Sequence, residues 1–136
     1  MQTTAGGATT PIISLYATAT VSPRVVEIGV TNTTTTAVAL LVARITTGNN
    51  KGTNLTEAEY NQDWQPPLGT AFGTHSGVET VADLGYRAQL GAASGSGMIW
   101  TFGDGGLVIP PGTTNAIGVV TVGTGQVCQA YIVWDE

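Results

Sequence analysis

The chain alternates apolar and polar positions with a period of two, the repeat of a β-strand that is buried on one face. In residues 24–32, Val26, Ile28 and Val30 fall on one face, which predicts a half-buried strand. Residues 37–45 are largely apolar on both faces, as is typical of a central strand. A polar, threonine-rich break separates the two segments, so the pattern predicts that they form an antiparallel hairpin.

The same pattern predicts further strands, which are separated by turns containing glycine or proline. Strands that recur at a spacing of roughly 8–12 residues favour an antiparallel β-sandwich or a barrel, and we therefore expect an all-β fold. The Gly103–Gly106 run supplies residues that tolerate positive φ, as a tight hairpin turn requires. Between residues 64 and 96 the pattern is weak and predicts no element. The predicted segments are residues 12–20, 98–102, 107–109, 116–122 and 127–134.

One segment carries a signal for helix. Thr56 and Glu59 have the spacing of a capping box, in which the first residue caps the helix and the second bonds back to it. Pro66 and Pro67 follow soon afterwards and limit its length. We therefore expect at most one short helix, near residues 56–62.

The pattern divides the chain into an extended N-terminal arm, residues 1–10, and a single β-sandwich domain, residues 11–136. The arm is rich in threonine and glycine and has little apolar area with which to hold itself, so we expect a neighbouring chain to order it. It has neither the basic region nor the apolar region of a secretory signal. No apolar run approaches the roughly 18–20 residues that cross a bilayer, and we expect no membrane partner.

Charge narrows the possible partners. Only 10% of residues are charged, with 4 Lys and Arg against 9 Asp and Glu, and the net charge is −5. Binding to nucleic acid through a basic patch is therefore not expected. Threonine and glycine, the two commonest residues, are poor helix formers and disfavour a helical bundle.

The sequence offers little reactive chemistry. Its single histidine, His75, lies in a glycine-flanked loop and is expected to be exposed, and its single cysteine, Cys128, is expected to be buried in a strand. A Ser-His-Asp triad would have to use His75, but no Gly-x-Ser-x-Gly motif occurs. No carboxylate lies in a context that suggests burial beside a partner, and Asp104 suits a turn better than a calcium site. We expect no enzyme activity, no metal and no cofactor.

A chain with so few charges is suited to contact, because protein interfaces are depleted in lysine, glutamate and aspartate. The candidate interface residues are Thr3, Thr4, Trp64, Tyr131 and Trp134. Exposed aromatic side chains also stack on sugars. Trp64, Trp100 or Tyr131 could therefore serve a carbohydrate-binding module, and that alternative stays open.

The last third of the chain carries a resemblance. Residues 106–113 (GLVIPPGT), 118–120 and 131–136 (YIVWDE) resemble small virion structural proteins of tailed bacteriophages, of the capsid decoration or cement type. The resemblance implies a jelly-roll-like subunit that forms a trimer and contacts the major capsid protein or other virion proteins. It implies a location in the virion after synthesis in the host cytoplasm, and it carries over no catalytic residue.

The sequence therefore predicts a structural virion protein, a capsid decoration or cement subunit that stabilises the assembled shell. Two alternatives stay open. One is a tail, neck or fibre component of the virion, and the other is the carbohydrate-binding β-sandwich module.

Overall fold

The computed structural model describes residues 2–48, 51–58, 70–73, 75 and 77–136. Within these ranges the chain forms eleven strands and no helix, which confirms the all-β prediction. The strands are β1 (Gln2–Thr4), β2 (Ile13–Tyr16), β3 (Arg24–Asn32), β4 (Val38–Ile45), β5 (Thr53–Asn54), β6 (Thr70–Gly73), β7 (Val81–Leu90), β8 (Gly97–Thr101), β9 (Leu107–Val108), β10 (Ala116–Val122) and β11 (Cys128–Asp135).

The strands form two antiparallel sheets. Sheet A has the order β1-β11-β3-β8, with the short β9 also paired to β3, and sheet B has the order β5-β6-β2-β10-β4-β7. The long-range pairs are nested, because β1 pairs with β11, β2 with β10, β3 with β8, and β4 with β7. A long hairpin rolled up in this way is a jelly roll. The predicted antiparallel, jelly-roll-like sandwich is confirmed.

The core lies between the two sheets. Alternate residues of each strand point into it, and their side chains are almost completely removed from water, which is the main source of stability for such a domain. Both sheets contribute aliphatic side chains: Val25, Ile28 and Val30 from sheet A, and Leu15, Leu40, Val42, Ile117 and Val119 from sheet B.

The predicted hairpin between β3 and β4 is wrong. β3 belongs to sheet A and β4 to sheet B, so residues 33–37 form a corner that crosses from one sheet to the other. The buried side chain of Asn32 stabilises this corner. Its Nδ2 donates to the carbonyl oxygens of Thr36 (2.7 Å) and Gly91 (3.1 Å), and its Oδ1 accepts from the backbone of Thr34 (2.9 Å).

The predicted face of Val26 is also wrong, because β3 and β11 change register there. Val133 pairs with Glu27 whereas Trp134 pairs with Val25, which leaves Val26 as the extra residue of a bulge. Val26 is therefore 37% exposed, and Val25 takes its place in the core.

The Gly103–Gly106 run forms the predicted tight turn but not a hairpin. The backbone of Gly106 donates to the carbonyl of Gly103 at 3.2 Å, and both glycines have positive φ. The strands on either side, β8 and β9, both pair with β3 and lie one after the other along it. The turn therefore links two segments of one sheet edge.

The first residues of the chain lie on its own sandwich. β1 pairs with β11, and beyond it the carbonyls of Gly7 and Thr9 accept from the backbones of Thr121 (3.2 Å) and Glu79 (2.8 Å). Contact of the predicted arm, residues 1–10, with a neighbouring chain stays a prediction. Of the helix expected near residues 56–62, residues 56–58 have no regular structure, and residues 59–62 lie outside the described ranges.

Candidate functional site

The outer face of sheet A is a surface of regularly paired strands. It is formed by the residues of β3, β8 and β11 that alternate with the core-facing ones, and we call it the sheet A face. Cross-strand pairing places these residues in rows. Its members are Glu27, Gly29, Thr31, Ile99, Thr101, Gln129, Tyr131 and Val133.

A tyrosine lies flat across the centre of the sheet A face. Tyr131 pairs with Gly29, and a Cβ atom at Gly29 would overlap the Tyr131 ring, so only glycine leaves room for the ring there. The Tyr131 hydroxyl donates to Glu27 Oε1 at 2.7 Å. On the other side of Gly29 lies Ile99, which is 58% exposed. The centre of the face is therefore aromatic and aliphatic.

The sheet A face carries little charge. Glu27 is its one charged member, and the Tyr131 hydroxyl bonds to that carboxylate. Past the bulge, Arg24 and Asp135 form an ion pair at the end of the same strands, so their charges cancel. A surface of hydroxyl, amide and apolar groups with little charge has the composition of a protein interface rather than of an active site.

The predicted interface residues fall in different places. Tyr131 belongs to the sheet A face, and Thr3 and Thr4 lie in β1, opposite Gln129 and Cys128. Trp134 is half-buried against the core, and its Nε1 donates to Glu136 Oε1 at 3.0 Å. Trp64 lies outside the described residues.

A second notable feature is a buried polar cluster on the outer side of sheet B. Ser14 and Tyr16 of β2 point away from the main core, yet both are fully buried, and His75 contacts Ser14 while Phe72 packs against the Tyr16 ring. We call Ser14, Tyr16, Thr47, His75 and Glu79 the polar cluster.

The polar cluster is joined by hydrogen bonds across distant parts of the chain. Ser14 Oγ lies 2.6 Å from His75 Nε2, and His75 Nδ1 lies 4.0 Å from Glu79 Oε1. Thr47 Oγ1 donates to Glu79 Oε2, and the Tyr16 hydroxyl donates to the Thr47 carbonyl at 3.1 Å. These bonds fix the connections after β4 and before β7 to β2.

Ser14, His75 and Glu79 are the residue types of a hydrolase catalytic triad, but these three side chains are buried. The side chains of His75 and Glu79 have no exposed surface, and Ser14 has none either. A nucleophile must meet its substrate, and Ser14 faces only protein here. We therefore assign the polar cluster to holding the fold together.

The expectation that His75 is an exposed loop residue is wrong, and so is the expectation that no carboxylate is buried beside a partner. Local sequence suggested exposure because glycines flank His75, whereas the burial comes from sheet B beneath it. Glu79 was missed. The available signals were its spacing of four residues from His75 and a serine, Ser14, inside an apolar strand.

Burial and charge shift two pKa values at the edge of the polar cluster. Burial, and then the nearby Glu79 carboxylate, raise the pKa of Tyr16. Burial lowers the pKa of Lys51, although Glu79 opposes this. The Lys51 ammonium lies 4.4 Å from the centre of the Tyr16 ring and donates to the Thr113 carbonyl at 2.6 Å.

The raised pKa of Tyr16 predicts a loss of stability at alkaline pH. Below pH 10, the ordinary tyrosine pKa, Tyr16 keeps its proton in both the folded and the unfolded protein. Above pH 10 the unfolded protein loses this proton first, so the free energy of unfolding falls. Tyr16→Phe should cost about 1 kcal/mol at pH 7 through the lost hydrogen bond and flatten this alkaline decline in urea unfolding. The same change at the exposed Tyr86 is the control. An equally steep decline in Tyr16→Phe would contradict the prediction.

The remaining chemistry is sparse. Cys128 is buried, as predicted, and burial raises the pKa of its thiol. Within the described ranges no three His, Cys, Asp or Glu side chains come together as metal ligands. In the same part of the chain no helix is long and apolar enough to cross a membrane.

Comparisons with protein-family models, curated proteins and solved structures find no match to this chain.

Proposed function

We propose that this protein is a structural component of a virion, a capsid decoration or cement subunit that binds the assembled shell and stabilises it. The observation that carries the proposal is the sheet A face, a nearly uncharged surface on a jelly-roll sandwich. The resemblance in the last third of the chain supports the same class. Jelly rolls occur in viral capsid proteins and also in lectins, so the fold alone does not decide between them.

The mechanism is mass action. A subunit that binds the assembled shell more tightly than free capsid subunits shifts the equilibrium toward the shell. Copies that act together gain avidity, because the second contact becomes intramolecular after the first. No bond is made or broken, so the function needs shape and surface chemistry and no reactive group.

The open alternatives make different demands. A tail, neck or fibre component would be present in far fewer copies than a subunit that coats the shell, so copy number per particle distinguishes them. A carbohydrate-binding module needs accessible aromatic rings. Trp100 is buried in the core at 9% exposure, and the Tyr131 hydroxyl is bonded to Glu27. Burial therefore argues against Trp100 in that role, whereas the Tyr131 ring on the sheet A face leaves the module open.

Two matched substitutions test the proposal. Gln129 lies on the sheet A face and Gln89 lies on β7 of sheet B, and both are exposed. Gln129→Lys would bury an unpaired charge in the contact, at a cost of about 3 kcal/mol, which corresponds to roughly a hundredfold weaker binding. Gln89→Lys should bind as the unaltered protein does.

The measurement is occupancy on virus particles that lack this protein, after incubation with each variant and removal of the unbound fraction. Saturable binding in many copies, lost in Gln129→Lys and kept in Gln89→Lys, supports the proposal. Absence of saturable binding by the unaltered protein would refute the decoration role. Equal binding by both variants would refute the use of the sheet A face.

A further inference from the structure

The edges of the two sheets differ in how well they are protected from pairing with another strand. Natural sheets block their edges with short strands, charges, bulges or proline. β1 has three residues and β5 has two. β7 is long, but it carries the Asp83–Arg87 ion pair and Gly85 at a φ of 85°, and its register with β4 shifts. Each of these three edge strands therefore has a recognised form of protection.

β8 has none of these protections. Its five residues, Gly97–Thr101, include no charge and no proline, and within the described chain it pairs with β3 alone. Met98 and Ile99 are 40% and 58% exposed. An apolar, uncharged edge strand of this kind is a template for another strand.

The hydrogen-bonding groups of β8 point outward at alternate positions. The carbonyl of Ser96 accepts from the backbone N–H of Asn32, and the backbone N–H of Phe102 donates to the carbonyl of Val26. The N–H and C=O groups of the even-numbered residues of β8 are therefore directed toward β3. In an antiparallel ladder the next residues along face the other way. Gly97, Ile99 and Thr101 therefore direct their N–H and C=O groups away from β3.

We propose that β8 pairs with β8 of a second copy of this chain, antiparallel, about a two-fold axis at Ile99. In this register Ile99 of one copy lies opposite Ile99 of the other, and each Gly97 lies opposite a Thr101. All the outward backbone groups of both strands are then paired. Met98 lies opposite Trp100, a favourable sulfur–aromatic combination.

A second copy of this chain is the partner we propose, because β8 is complementary to itself. The pairing is isologous, as in most two-fold dimers, because the same residues act on both sides. The chain has a net charge of −5, which opposes self-association, but the contact strand itself has no charge to repel its copy. Pairing joins the two A sheets into one continuous sheet. It predicts a dimer rather than the trimer that the resemblance implies, and it does not depend on what the protein coats.

Ile99→Lys is the direct test, because it places like charges opposite each other at the two-fold axis. Val122→Lys is the matched control, since Val122 is 42% exposed at the end of β10 in the other sheet. Ile99→Pro is a second variant, which removes an outward N–H without touching the ladder to β3. Molar mass is measured by light scattering over a concentration series, and thermal unfolding confirms that each variant folds.

The unaltered protein and Val122→Lys should pass from monomer to dimer as concentration rises, whereas Ile99→Lys and Ile99→Pro should stay monomeric. Ile99→Cys should form a disulfide-linked dimer under mild oxidation, because the opposed Cα atoms of such a pair lie about 5.5 Å apart, and Val122→Cys should not. A monomer at every concentration, a trimer, or a dimer that survives Ile99→Lys would overturn the proposal. Each of these outcomes is independent of particle binding, so failure here leaves the decoration role to its own test.

Discussion

Replacing Glu79 by alanine is expected to lower the free energy of unfolding by about 3 kcal/mol. The side chain is fully buried, accepts from Thr47 Oγ1 and lies 4.0 Å from His75 Nδ1. Alanine would leave a void beside these polar groups and remove the carboxylate that accepts from the Thr47 hydroxyl. The polar cluster ties the segments after β4 and before β7 to β2, so these segments should lose protection from hydrogen exchange together with the loss of stability.

Urea unfolding and hydrogen exchange measure the two effects. Glu79→Gln keeps the shape and one acceptor oxygen, and we expect it to cost about 1 kcal/mol. Asp104→Ala, in the exposed turn between β8 and β9, is the control and should change stability by less than about 0.5 kcal/mol. A cost for Glu79→Ala no greater than that of Asp104→Ala would contradict the role given to the polar cluster.

Replacing Trp100 by alanine is expected to cost about 4 kcal/mol, the usual range for a large aromatic side chain removed from a core. Trp100 is 9% exposed, lies opposite Ile28 of the neighbouring strand β3 and belongs to the hydrophobic core. Nothing in the remaining core fills the volume that the ring leaves. The expected outcome is a strongly lowered unfolding midpoint.

Val122→Ala, an exposed residue of β10, serves as the control for Trp100→Ala and should cost less than about 1 kcal/mol. The same variants are assayed on a glycan array. Unchanged stability in Trp100→Ala together with lost glycan binding would contradict the core assignment and support the carbohydrate-binding alternative.

Strands with a clean alternation were predictable from the sequence. β3 was predicted at residues 24–32 and β10 at residues 116–122, and both have those bounds. β7 was not predicted, because as an edge strand with a register shift it is exposed on both faces over most of its length. Alternation identifies a strand only where one face is buried and the other is not.

The pairing between strands was harder to predict from the sequence than the positions of the strands. β3 and β4 look like the arms of a hairpin, because the pattern records which residues are buried and not which sheet buries them. The bulge at Val26 likewise depends on the register of β11, more than a hundred residues later. The sheet A face could therefore be anticipated only at Tyr131.

The polar cluster depends on the same kind of distant contact. Ser14 and His75 are 61 residues apart, and each looks unremarkable in its own segment. Their burial arises because His75 and Glu79, before β7, and Thr47, after β4, lie against β2 on the outer side of sheet B, which no local pattern predicts. The glycines that flank His75 suggested exposure, because they carry no information about the sheet on which His75 lies.

The most direct test of the central claim is an electron-microscopic reconstruction of the native virus particle at a resolution that separates domains. We predict density for this sandwich in many symmetry-related copies on the outside of the shell, with the sheet A face directed toward the capsid protein. Density confined to the tail or neck, or particles that are complete without this chain, would contradict the account.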